Sequence, residues 1–341
     1  MNNPRLRISL GLIALFITPE LLAAGLPRQI EVHGDLGKKE GKNFSAVVVA
    51  DPFVILGSDE GKTLRVFART EHGLELKGTP IPLPVDGEAD IEGLAIRKPA
   101  KDGRFTVFAI GCHCRNRGKV DDDESLAANR KAFSGVDKEG SRANVFRFQV
   151  DAKTGAPIGT PEHVSLTSVL KKDAILGPFT EIASKENGID IEGLAIGPDG
   201  RLIAGFRGPV LRENFVPVLA FDFDDPKRSE VRWLNLGGLG IRDITAVKGG
   251  FLVLAGPVGD GRPDYRIFFW DGTDAIPGKG KSHKTVIQDL LEVPRPDPED
   301  FDVKAEGLAV LDENAQRYEV LLVFDGPQNS RPTKLTVAKK P

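Results

Sequence analysis

The chain has 341 residues and a mass of 36.9 kDa, with 46 Lys and Arg against 49 Asp and Glu, a formal charge of −3 and a pI near 6.0. At that length it can bury a core without metal or disulfide staples, and 40% apolar with 28% charged residues excludes wholesale disorder. The near-balanced charge offers no electrostatic basis for a nucleic-acid or anionic-membrane partner, and none is expected.

Residues 1–24 read as a secretory signal peptide. Arg5 and Arg7 precede the apolar stretch Ile8 to Ile17, and Ala23 and Ala24 stand ahead of Gly25. The apolar run is shorter than the roughly 20 residues of a membrane-spanning helix. Pro19, Glu20 and Leu22 are atypical near a cleavage site, so an uncleaved N-terminal anchor is the alternative. Cleavage near Ala24 predicts a periplasmic or secreted monomer with no stable membrane insertion. Residues 25–341 are then one domain.

From there the chain reads as short apolar strands separated by Gly and Pro turns. Gln29 to His33 is an isolated strand. A first unit holds strands at Phe53 to Leu56, Leu64 to Phe67 and Leu74 to Leu83, and a second holds Phe105 to Ile110, Asn144 to Val150 and His163 to Leu166, with a long insertion over 111–142. Within that insertion Asp121 to Glu124 is an acidic run leading into a short helix, Glu124 to Arg130. The third unit is the clearest, with Glu192 to Ile196, the turn Gly197-Pro198-Asp199-Gly200, then Leu202 to Phe206, Val216 to Phe223 and Val231 to Leu236. A fourth runs through Phe251 to Ala255, Tyr265 to Trp270 and Thr285 to Leu290. The last has only Glu306 to Leu311, Tyr318 to Phe324 and Thr333 to Val337.

A repeat organises these units. Asp90-Ile91-Glu92-Gly93-Leu94-Ala95-Ile96 recurs identically at 190–196 and again as Ala305-Glu306-Gly307-Leu308-Ala309-Val310, with weaker copies at Asp243-Ile244-Thr245 and Ser45-Ala46-Val47. Aligned on the acidic residue, the copies start at 45, 92, 192, 243 and 306, spaced like four-stranded blades of roughly 40–50 residues with insertions. The expected fold is an all-β propeller of five four-stranded blades, with six as the alternative. Its last blade lacks one strand, which Gln29 to His33 supplies, closing the ring.

In such a ring the residue heading each inner strand and the loop after each second strand share one face. Glu92, Glu192, Asp243 and Glu306 are therefore expected around the channel mouth, with Ser45 as a neutral fifth member. Carboxylates so placed can hold a hard cation such as calcium through oxygen ligands, serve as structural acceptors between blades, or take part in catalysis. Arg115, Asn116, Arg142, Arg207, Arg242, Arg262 and Arg331 fall in or beside the loops of the same face. As a set they are candidates for an anionic ligand. Gly111-Cys112-His113-Cys114-Arg115 concentrates further chemistry. The two Cys either form a local disulfide, stay unpaired and partly buried, or ligate a metal without a recognisable fourth partner.

The Glu-Gly-Leu-Ala repeats, the Gly111 to Asn116 segment and Arg242-Asp243-Ile244-Thr245 running into Gly249-Gly250-Phe251 resemble an uncharacterised bacterial family, a domain of unknown function thought to be propeller-like, over about residues 40–340. A more distant resemblance, carried by Asp90, Glu92, Asp190, Glu192 and Glu306, is to the esterase-like phytase propellers. Two functions follow as expectations. One is an exported propeller binding a small anionic ligand or a protein at its loop-rich face. The other is a calcium-dependent phosphoesterase, with the four acids on the metal and Arg115, Arg142 and Arg207 on the phosphoryl group.

Overall fold

A computed structural model describes residues 26–36, 40–97, 103–137, 139–259, 264–296, 302–326 and 331–340. The segment 1–24, expected to be a signal peptide, and Arg262 lie outside the described residues. The chain opens with two short strands, β1 (Arg28–Gln29) and β2 (Val32–His33), and then builds five blades in succession. The first is β3 (Phe44–Ala50), β4 (Phe53–Ser58), β5 (Thr63–Thr70) and β6 (Gly73–Pro82). The second is β7 (Ile91–Arg97), β8 (Arg104–Gly111), β11 (Val145–Asp151) and β12 (Pro157–Val164). Its insertion carries a small hairpin, β9 (Asn116–Arg117) with β10 (Val136–Asp137), around helix α1 (Leu126–Ser134). A second helix, α2 (Thr167–Lys172), follows β12.

The third blade is β13 (Asp190–Ile196), β14 (Leu202–Gly208), β15 (Phe215–Phe221) and β16 (Ser229–Asn235). The fourth is β17 (Gly240–Val247), β18 (Gly250–Gly256), β19 (Arg266–Trp270) and β20 (Ile287–Glu292). The fifth is β21 (Lys304–Glu313), β22 (Arg317–Asp325) and β23 (Thr333–Ala338), completed by β1. The inner strands β3, β7, β13, β17 and β21 touch in that order, and β21 returns to β3. Five blades therefore close the ring.

Closure differs from expectation in one respect. β1 pairs with β23 through Arg28 opposite Lys334 and Gln29 opposite Thr333, but β2 leaves that blade and runs parallel to β6, with Val32 opposite Leu74. The N-terminal segment thus bridges the last blade and the first. β12 also lies earlier than His163 to Leu166, because Pro157, Gly159 and Pro161 mask a half-exposed outer strand where such residues are tolerated. α1 starts later than Glu124 because Ser125 is its cap, its hydroxyl accepting from the Ala128 amide at 3.2 Å.

The core lies between blades, where apolar residues of facing sheets interlock. Phe108 of the second blade meets the Phe223 ring at 5.7 Å, and within the fourth blade Phe251 stacks on its cross-strand neighbour Trp270 at 5.2 Å. At the axis the inner strands approach closely, which accounts for the Gly of the repeat. A methyl group on Gly93 would lie 2.7 Å from the Leu194 nitrogen, and one on Gly193 would lie 2.9 Å from that of Ile244.

Candidate functional site

Each inner strand breaks register with its second strand at an equivalent position near its start. The breaks lie between Phe44 and Ala46, Ile91 and Gly93, Ile191 and Gly193, Ile241 and Asp243, and Ala305 and Gly307. A bulge at each place re-aims one side chain. The five equivalent residues are therefore Ser45, Glu92, Glu192, Arg242 and Glu306. The ring position in the fourth blade belongs to Arg242, whereas aligning on acidity alone puts Asp243 there. Matching Ile241 to Ile191 in the sequence would have found it.

Asp243 instead takes the place of the repeat Gly and faces backbone. Its carboxylate accepts the amides of Ile244 and Leu308, each at 2.7 Å, and bonds the Leu194 amide as well. One buried side chain thereby joins the inner strands of three blades. Burial drives its pKa well above the usual range, against the pull of those three amides.

Arg242 lies between two ring glutamates. Its Nη1 stands 2.9 Å from Glu192 and 3.2 Å from Glu306, its Nη2 reaches the Pro257 carbonyl at 3.4 Å, and the guanidinium packs over the Tyr265 ring. Arg207, at the end of β14, pairs with Asp190 and with Glu192 at 2.7 Å. Lys304 pairs with Asp325, and Arg142 reaches from the insertion to Glu88, Asp90 and Glu139. Among the described residues, Arg142, Arg207, Arg242 and Lys304 thus stand among a larger number of acids around the mouth: Asp59, Asp90, Glu92, Asp190, Glu192, Glu306 and Asp325, with Glu88 and Glu139 also on Arg142.

The excess acid shows in the titration of the cluster. Glu92 is pushed well above the carboxylate range, first by burial and then by Glu192, Asp90, Glu306 and Asp59, and the Arg207 guanidinium also interacts with it electrostatically. Asp59, just past β4, rises to about 8 through burial, with Glu306 and Asp325 adding to it, and its buried Oδ1 has no hydrogen-bond partner. Burial lifts Glu306 and Asp90 to about 7 and Asp190 to about 6, opposed by Arg242, Arg142 and Arg207 respectively. Asp59 was not singled out from sequence. Its place after the second strand, like that of Arg207 in β14 and Asp325 in β22, was the available signal.

The arginines proposed for an anion are largely committed. Arg115 donates to the Thr180 carbonyl at 2.8 Å and pairs with Glu181, away from the ring. Asn116 turns its amide oxygen toward Arg142. Arg142, Arg207 and Arg242 hold acids, and Arg331 enters none of these pairs. The acids do not form a ready calcium cage either. Oxygen donors are the right chemistry, but Glu192 and Glu306 share Arg242, and Asp243 is held by amides. Among the described residues, one group of three brings its ligand atoms within 4.8 Å of one another, and it is Asp90, Cys112 and Cys114. Those sulfurs are joined as a disulfide. At the other end of the channel the inner strands leave a cavity of about 530 Å³ lined by Leu94, Ile96, Ile196, Ala246 and Val310 among others.

Residues 43–338 match the model of a family described as a protein of unknown function, DUF3616. The chain belongs to this family. The DUF3616 match brings no activity with it and does not show the likeness to phytase propellers. No curated protein matches the chain. Among solved structures, it is similar to an exo-β-1,3-galactanase from Clostridium thermocellum, at 8% identity over 91% of this chain and 61% of that one, with a TM-score of 0.48. It is also similar to the allergen Mala s 1 of Malassezia sympodialis, at 9% identity over 87% and 93% with a TM-score of 0.45. A PQQ-bound aldose sugar dehydrogenase from Streptomyces coelicolor aligns at 12% identity over 92% and 98%, with a TM-score of 0.41. None of these likenesses bears on the chemistry of this chain.

Proposed function

We propose that this DUF3616 protein is an exported binding propeller whose site is the acidic channel mouth and whose ligand presents a positive group. The observation that carries the reading is Glu92. It occupies a ring position, is partly exposed, and stands outside the ion pairs that Arg207 and Arg242 make with Glu192 and Glu306, while burial and then four neighbouring acids raise its pKa. A ligand ammonium or guanidinium would supply the missing charge. It fits better than a bare divalent ion because no three ring carboxylate oxygens converge. It also fits better than an anion, which would have to take arginines from buried carboxylates. Export rests on the signal peptide at 1–24, and fractionation of the full-length chain tests it.

The test of the site is calorimetric titration of the purified protein with arginine, putrescine and choline, and separately with calcium chloride. Binding of an organic cation that falls at least about tenfold in Glu92→Gln supports the reading. Tight calcium binding with chelator-sensitive hydrolysis of a generic phosphomonoester would replace it with the phosphoesterase. No heat with any of the four probes would overturn the cationic site.

A further inference from the structure

The Cys112–Cys114 disulfide lies just beyond β8, where the insertion, the second blade and the third blade meet. As a staple it does little, because the stabilisation a disulfide brings grows with the loop it closes and this loop is among the smallest possible. Its effect is on local conformation. It closes around His113, which adopts a φ of 52°, a region non-glycine residues seldom occupy.

The backbone and side chains of this short segment bond to residues elsewhere in the chain, among them Asp90, Arg142, Leu166, Ser184 and Ile191. The Cys112 amide donates to the Asp90 carbonyl at 3.1 Å, and the Cys112 carbonyl accepts the Ile191 amide at 2.9 Å. The His113 amide donates to the Arg142 carbonyl at 3.1 Å, and the Arg115 carbonyl accepts the Ser184 amide at 2.9 Å. The His113 ring Nε2 receives the Leu166 amide at 3.2 Å while its Nδ1 lies 2.8 Å from the Gly111 carbonyl, as expected of a neutral imidazole. Beside the sulfurs stands a carboxyl. Asp90 Oδ2 lies 2.9 Å from Cys112 Sγ and 3.7 Å from Cys114 Sγ, and the same carboxyl pairs with Arg142 at 3.3 Å. Both cysteines are buried, Cys112 at 1% and Cys114 at 7% exposure, and Cys114 borders a small cavity of about 30 Å³ shared with Thr167, Leu170 and Lys171.

We propose that Cys112–Cys114 is a reducible clasp, a thiol–disulfide exchange site for an exported protein dithiol, whose opening loosens the junction between the second and third blades. The attacking thiolate forms a bond to Cys114 Sγ, and the Cys112–Cys114 bond breaks with its electron pair on Cys112 Sγ. The partner's second thiol then displaces Cys114, so the partner ends as a disulfide. The two electrons and two protons it gives up leave both cysteines as thiols. Asp90 Oδ2 is placed to accept an S–H from either, a new bond that competes with Arg142. In the resulting segment nothing covalent holds His113 at positive φ, and the contacts to Leu166, Ser184 and Ile191 relax together.

The test treats the folded protein with dithiothreitol, alkylates it under native conditions and measures intact mass, with amide hydrogen exchange on the same samples. Alkylation of both cysteines without denaturant is expected, with exchange at Ser184 and Ile191 at least about tenfold faster and at Leu252 to Leu254 unchanged. A Cys112→Ser, Cys114→Ser double variant should show the reduced pattern without reductant. Alkylation that requires denaturant would overturn the proposal. So would a reduced protein whose Ser184 and Ile191 amides exchange at the oxidised rate, a readout that holds even if the double variant does not fold.

Discussion

Arg242→Met removes the cation between two ring glutamates while keeping much of the side chain's bulk. Glu192 keeps Arg207 at 2.7 Å, whereas Glu306 loses the base that most opposes its displacement. Removing one partner of a buried pair costs roughly 3–5 kcal/mol, and the surviving Arg207 contact places this variant near the lower figure. The pH dependence has a definite sign. Glu306 has a folded pKa raised from 4.5 to about 7 even with Arg242 present. Its favourable contribution is therefore complete below the unfolded value and is lost as pH rises through the folded one. Without Arg242 the folded value moves higher, and each further unit costs about 1.4 kcal/mol on the alkaline side. Urea unfolding, followed by the fluorescence of Trp233 and Trp270, should show a deficit larger at about pH 8 than at about pH 5. Adding Glu306→Gln should recover most of the alkaline excess. A loss under about 1 kcal/mol at both values, or an equal loss at both, would refute the role given to Arg242.

Asp243→Ala should destabilise by about 2–4 kcal/mol, since it strands buried amides at Ile244, Leu194 and Leu308, yet leave affinity for organic cations within twofold in calorimetry on the folded fraction. If Asp243 were a ring ligand, affinity would fall as Glu92→Gln makes it fall. Gly193→Ala forces a methyl to 2.9 Å from the Ile244 nitrogen and should cost about 1–3 kcal/mol. Thermal unfolding checks it, and a variant as stable as the parent would remove close strand approach as the reason for that Gly.

The propeller was readable because its repeat joins two independent constraints. Apolar alternation makes the strands, and a Gly after the ring residue lets neighbouring inner strands approach, so Glu92-Gly93 and Glu192-Gly193 advertise both at once. The fifth-blade closure was readable for a similar reason: three strands near Pro341 left a place that a spare N-terminal strand had to fill. Its division between β1 and β2 was not, since two-residue strands carry no periodicity. The outer strand β12 was displaced in the sequence reading because exposed edges place few demands on residue type.

The charge of the mouth was the part most easily misread, and the reason is geometric. A β-bulge shifts side-chain direction by one residue, so charge identity is a poor guide to which of two adjacent residues faces the channel. In the fourth blade Arg242 and Asp243 exchange the roles that charge alone suggests: the base enters the ring and the acid turns to the amides. A ring of four acids would be a cation clamp whose members repel until a metal arrives. A ring of Ser45, Glu92, Glu192, Arg242 and Glu306 neutralises itself on one side through Arg242 and Arg207. The carboxyls outside those ion pairs are Glu92 and, beside the ring, Asp59, and their raised pKa values keep them protonated until a positive group approaches. One displaced residue thus changes the expected ligand from an ion enclosed by the whole ring to a single positive group met on one side of it.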